Sequence, residues 1–530
     1  MGTVPFFRCK EALHFRCVLY SAAMVEGLSS VDWIIVLVYF SAVAWIGFRS
    51  ARGQSSTRDY FLGGRSLPWW AAALSIIATE TSAVTLMGTP QMAFEGDWSF
   101  LQFVFGLVLG RVFLAFYFVH VFYRQEFVTI YGFLEQRFGE AARFTAALIF
   151  LVGRVIGSGV RLYAGCLALE VAAGIPIEQA IVLLGLFGTV YTLMGGIRAV
   201  VWTDVLLGLT FMAAGAAALL YLGLELPGGV SGLLNNPELI SKTRVVHWGW
   251  DLARQNTLLA GLLGGFFLTL ATHGTDQDVA QRLLTCRSSR EGILSVLGSA
   301  VMILPLMALF LAVGTGLYFF YWAHGGDKAL PENLVHLFPL FIVRELPTGI
   351  RGFVMAGLLA ASVSSFTSVL NALASTAVSD FYLPWTRRVG APPGEARLLF
   401  ISRATTLAWG VVLVIIALWF RGSQKNVLDI ALKVLNYFYG ALLGAFLLGI
   451  FTRRGTSWSV TAGMILSVPA VMVCEQVGLA YPYWIIVGTA VTMAVGGFGR
   501  LNGAARMRDP AGDSGTIQST SAADAGSTRE

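Results

Sequence analysis

Apolar stretches of membrane-crossing length recur along this chain from about residue 31 to residue 498. A hydrocarbon slab about 30 Å thick takes ~20 helical residues to cross. Inside it, every backbone N–H and C=O must find its partner within the protein. That requirement leaves one fold class here, an all-α polytopic membrane protein. Charged residues are 12% of the 530, against about 25% in a soluble chain. Stretches of about 17–25 residues predict thirteen helices, near 31–48, 67–94, 99–122, 142–174, 177–194, 200–224, 252–275, 292–322, 350–380, 401–420, 426–451, 457–474 and 481–498.

Loop charge orients them. Arg49, Arg52, Arg58 and Arg65 follow the first span, and every second loop afterwards is also basic, from Arg198 alone in one to Arg387, Arg388 and Arg397, and Arg500, Arg506 and Arg508, in others. Basic loops stay cytoplasmic, so the N-terminus is expected outside and the C-terminus inside, in a multi-pass plasma (inner) membrane protein. The same bias accounts for the net charge of +6 without nucleic acid as a partner; the expected partners are the bilayer and a small solute, and the expected state is a monomer. Residues 1–29 read as an N-terminal extension, with Met24 a candidate start, 30–500 as one transmembrane domain, and 501–530 as a disordered cytoplasmic tail.

The five cysteines show no CxxC spacing, so neither a disulfide framework nor a metal centre is indicated. His273 near Asp276 and Asp278 has no nucleophile spaced to it, which argues against an enzyme. A membrane sensor is the other rival, and the short tail offers it no output domain.

Charged residues at membrane depth cost about 2.5–3.5 kcal/mol each on insertion scales. Glu80, Arg111, Arg154, Arg161, Glu170 and Lys433 fall there. Arg154, Gly157, Ser158, Arg161 and Gly165 share one helix face, and a guanidinium on it can clamp a carboxylate. In "AGLLAASVSSFTSVLNALAS" (356–375), Ala361, Ser364 and Ser365 share a face, extended one turn by Thr367 and Ser368. Such hydroxyls either bond back to their own helix or, with carbonyls of an unwound neighbour, hold a hard monovalent cation. That neighbour is expected in "WWAAALSIIATETSAVTLMGTP", crowded with short polar residues at Ala78–Ser82. The glycine-rich "AGLLGGFFLTLATHGTDQD", five helices on, is the second expected broken span, as an inverted five-helix repeat requires.

With "DYFLGGRSLPWW", "SIIATETSAVTLMG", "YTLMGGIRAVVWTD" and "TDQDVAQRLL", the chain resembles the sodium:solute symporter family, whose members have the LeuT-type fold. The resemblance covers about residues 30–500 and implies an inverted repeat of helices 2–6 and 7–11. It also implies a Na⁺ site made by carbonyls of Ala78, Thr81 and Ala361 with the hydroxyls of Ser364 and Ser365. A second Na⁺ site would use Asp204, Ser364, Thr367 and Ser368. The chain departs from sugar-carrying members at Glu80, Thr85, Leu207 and Asp278. These departures, with Arg161, point to an organic acid or amino acid; Thr85 and Arg161 are the candidate solute contacts. Glu80 is the candidate coupling acid of a proton-driven alternative.

Overall fold

The computed structural model describes residues 27–50, 57–123, 128–323, 330–331, 333–391, 393–421 and 427–498. Most of the expected extension and all of the expected tail lie outside them. The principal helices are α1 (Ser30–Ser50), α2 (Trp69–Glu80), α3 (Ala83–Glu95), α4 (Phe100–Tyr123), α5 (Glu140–Ala173), α6 (Ile177–Glu225) and α7 (Leu258–Gly274). They continue as α8 (Gln277–Leu284), α9 (Ser289–Ala323), α10 (Ile350–Thr376), α11 (Glu395–Trp419), α12 (Val427–Phe451), α13 (Ser457–Gln476) and α14 (Trp484–Gly496).

Among the described residues, nine helices are long and apolar enough to cross a membrane, or eleven when each of two bent pairs counts as one span. The expected thirteen are therefore not reached by length and composition, because two apolar helices, Ile177–Val190 and Tyr481–Gly496, are shorter. The expected spans 177–194 and 200–224 join into α6, kinked at Gly196 (φ 52°, ψ −157°). A Cβ at Gly196 would stand 2.5 Å from the Tyr60 carbonyl oxygen. Positive φ and close backbone approach both demand glycine, which explains one residue of the "GGIRAVVWTD" stretch.

The bent pairs are α2–α3, turned by 65°, and α7–α8, turned by 63°. The sequence indicates both breaks, but for α7 the glycines serve another purpose. A Cβ on Gly265 would lie 2.1 Å from the Phe103 carbonyl, and one on Gly106 would lie 2.4 Å from that of Leu262. Glycine thus lets α4 and α7 touch backbone to backbone, since lipid supplies no hydrophobic drive to bring helices together. The break itself falls at Thr275–Asp276, where the Asp276 side chain caps α8 through the Asp278 N–H at 2.8 Å.

α10 is the central helix, with 94% of its membrane window buried. It packs on α6, α5, α1 and α11. Its small residues permit this: a Cβ on Gly165 of α5 would collide with the Ser362 hydroxyl at 2.3 Å, and one on Gly357 would reach Ala214 of α6 at 2.5 Å.

Candidate ion and solute site

The α2–α3 break releases two carbonyls. In a continuous helix the Ser82 N–H would bond Ala78 O, and the Thr85 N–H would bond Thr81 O. Here Ser82 N–H donates to Glu80 O at 3.1 Å, and Thr85 N–H donates to Ser82 O at 2.9 Å. Thr81 sits at the break in extended conformation (φ −82°, ψ 91°). Short polar side chains that compete with helix account for a break lacking Gly or Pro at its centre.

α10 faces this break. Thr79 Oγ1 and Ser368 Oγ lie 3.2 Å apart across the α2–α10 interface. Ala361, Ser364, Ser365, Thr367 and Ser368 are all buried. Among the described residues, the hydroxyls of Thr81 and Ser365 are buried without a hydrogen-bond partner. A bare buried hydroxyl costs about 1–3 kcal/mol and calls for an unseen occupant. Two freed carbonyls, the second lone pair of Ala361 O and hydroxyl oxygens are a neutral, hard donor set. They fit Na⁺ and would suit a softer or more highly charged ion poorly.

Asp204 lies beside it on α6 and is fully buried. It accepts from Ser75 Oγ at 2.5 Å, Ser364 Oγ at 2.6 Å and Arg282 Nη2 at 3.2 Å. Arg282 also donates to Ser368 Oγ, to Ser75 Oγ at 2.9 Å and to Asp278 Oδ1 at 2.7 Å. Thr367 Oγ1 turns back to Ser364 O at 3.2 Å. The residues named for a second ion thus meet around Asp204, except that Thr367 bonds along its own helix and a guanidinium stands at the carboxylate. Ser75, Thr79 and Arg282 are participants that sequence reasoning missed. Arg282 belongs to the "TDQDVAQRLL" stretch, which gave a signal without a role.

The remaining interior charges are mostly paired. Arg154 bridges Asp278 and, at 3.1 Å, Asp276, which commits both of its terminal nitrogens. Arg111 pairs with Glu80 and donates to Ser299 O at 2.7 Å; His273 Nε2 stands 3.8 Å from Glu80 Oε2. Arg161 differs. Among the described residues it has neither an ion pair nor a hydrogen bond. It is half-buried between the buried Val160 and Leu162, and Thr85 and Glu80 are likewise half-buried next to buried neighbours. Glu170 and Lys433 lie away from this cluster, and Lys433 pairs with Glu475 at 3.1 Å.

Broken helices paired across an inverted repeat, the first packed against a hydroxyl-lined helix, define a secondary transporter of the LeuT-type fold. A model of the sodium:solute symporter family matches residues 60–467, and the chain belongs to that family. It is 30% identical over 449 residues to the sodium/sialic acid symporter SiaT of Proteus mirabilis, covering 83% of this chain and 89% of that one. It is 29% identical over 522 residues to the sodium/glucose cotransporter of Vibrio parahaemolyticus, covering 93% and 94%. Its fold superposes with a TM-score of 0.81 on a substrate-bound, outward-open Na⁺-coupled sialic acid symporter, at 27% identity over 88% of this chain and 97% of that one. The chain is a sodium-coupled symporter of a small organic solute in a lipid bilayer, and a transporter rather than an enzyme.

Proposed function

We propose that the chain imports a carboxylate-bearing solute together with one Na⁺. The ion is held by Ala78, Thr81, Ala361, Ser364 and Ser365, and the carboxylate is anchored by Arg161. The observation that carries the solute class is the unpaired Arg161 guanidinium among otherwise paired interior charges.

Charge balance supports the same reading. Around the break, Glu80, Asp204, Asp276 and Asp278 are matched by Arg111, Arg154, Arg161 and Arg282. One Na⁺ adds a positive charge at low dielectric, and one carboxylate cancels it. Each ligand thereby favours the other, which is a coupling free energy shared between sites. The segment that releases Ala78 O and Thr81 O also carries Glu80 and Thr85, so ordering it for one ligand orders it for both. Arg282 already supplies a positive charge at Asp204, which favours a single ion over a second one at Asp204, Ser364, Thr367 and Ser368. SiaT carries sialic acid and other relatives are named for monocarboxylates, which suits an anionic solute.

Arginine-rich alternate loops support thirteen crossings with the N-terminus outside. In that orientation an outside-high Na⁺ gradient drives uptake as the bundle alternates access; one Na⁺ with one carboxylate moves no net charge, so the membrane potential does no work on the loaded step. The test is a thermal-shift screen of the purified chain against sialic acid, short monocarboxylates, amino acids, glucose and iodide, with sodium or choline chloride. A carboxylate that stabilises only with sodium supports the reading; a response confined to glucose or iodide overturns it.

A further inference from the structure

Asn371 lies fully buried in α10, and neither its amide oxygen nor its amide nitrogen meets a partner among the described residues. A bare amide at membrane depth is costly, and buried polar groups are ordinarily satisfied by protein, water or an ion. Ser364, Ser368 and Asn371 succeed one another at i, i+4 and i+7, on one face of α10. That face descends from the ion cage towards the Arg387–Arg388 end of the same helical rod.

A second bare oxygen comes to this stretch from α8. Gln281 is fully buried, its Nε2 donates to Phe61 O at 2.5 Å, and its Oε1 has no partner among the described residues. The neighbouring Arg282 bonds Ser368, which joins α8 to α10 one turn above Asn371. Phe61 shares a buried apolar cluster with Ala374 and Val378, the next turns below. Gln281 and Asn371 therefore belong to the same short stretch between Ser368 and Ala374.

We infer that Asn371 and Gln281 form a transit site for the hydrated sodium ion between the cage and the arginine-rich, cytoplasmic side. The Gln281 nitrogen is fixed on Phe61, which leaves its oxygen as a standing acceptor. Asn371 is unbonded and free to present its own oxygen. Two neutral amide oxygens with water bind a monovalent cation weakly, and an exit station must release what it accepts. The inference rests on the cage assignment of the preceding section.

The test uses the whole chain in sodium-loaded proteoliposomes, with radiosodium exchange as the rate and the sodium midpoint of thermal stabilisation as the affinity. Asn371→Thr and Asn371→Val have nearly the same shape and differ in one hydroxyl. Val is expected to slow exchange about fivefold or more with the midpoint within about twofold of the parent, and Thr to keep over half the parent rate. An unchanged rate in Val, or equal slowing in both variants, overturns the transit site. Should Val not reach the membrane, Asn371→Ala against Asn371→Ser makes the same comparison. Failure of the cage would show elsewhere, as an unaltered sodium midpoint in Ser365→Ala.

Discussion

Ser364 donates its hydroxyl proton to Asp204 Oδ1 across 2.6 Å. With the proton committed to the carboxylate, the lone pairs of Ser364 Oγ are left for the ion. Asp204→Asn reverses this, because an amide can donate to Ser364 and turn the hydroxyl proton towards the cage. The expected effect is a loss of about 1–2 kcal/mol in sodium binding, roughly tenfold in the sodium midpoint of a thermal-shift titration. A midpoint identical to the parent protein's would mean that Asp204 does not orient Ser364.

Arg161→Gln removes the unpaired guanidinium. No ion pair or hydrogen bond among the described residues is broken, so the variant should still fold and reach the membrane. Sodium should still stabilise the variant, while carboxylate solutes should no longer add to the sodium shift. Retained binding of a carboxylate, measured by calorimetry in sodium chloride, contradicts the anchor.

Glu80 pairs with Arg111, a fully buried guanidinium. Glu80→Gln leaves that charge uncompensated, and breaking a buried pair costs about 3–5 kcal/mol, moderated here by the part-exposed carboxylate. A markedly lower melting temperature is expected, along with uptake that stays dependent on sodium. Proteoliposomes separate the proton-coupled alternative: an inward proton gradient without sodium should drive no uptake in the parent protein.

Gly196→Ala meets two obstacles, a φ of 52° and the Tyr60 carbonyl 2.5 Å from the new Cβ. The strain of such a backbone alone is of order 1–3 kcal/mol, so this variant should fold poorly even though Gly196 touches no ligand. Fluorescence-detected size-exclusion chromatography of detergent extracts reads this directly, and a parent-like monodisperse peak contradicts it.

The membrane fold, both broken spans and the hydroxyl face of α10 are legible in the sequence, because apolar length, short polar side chains and helical spacing are local properties. The charge network is not. Arg154 and Arg161 look alike on one helix face, yet Asp276 and Asp278, more than a hundred residues further on, pair with the first and leave the second unpaired. Arg282 at Asp204 and Gln281 at Phe61 are long-range contacts that no periodicity reports. The glycines of α7 mislead for the same reason: their cause is the backbone of α4, which local sequence does not show.

The central claim is that Na⁺ satisfies the bare oxygens of Thr81 and Ser365 at the α2–α3 break. A sodium titration of thermal stability, on the parent chain and on Ser365→Ala side by side, tests it most directly. The variant should match or exceed the parent's stability in choline chloride, having lost an unpartnered buried hydroxyl, and its sodium midpoint should rise about tenfold or more. Superimposable sodium curves for the two proteins would contradict the account.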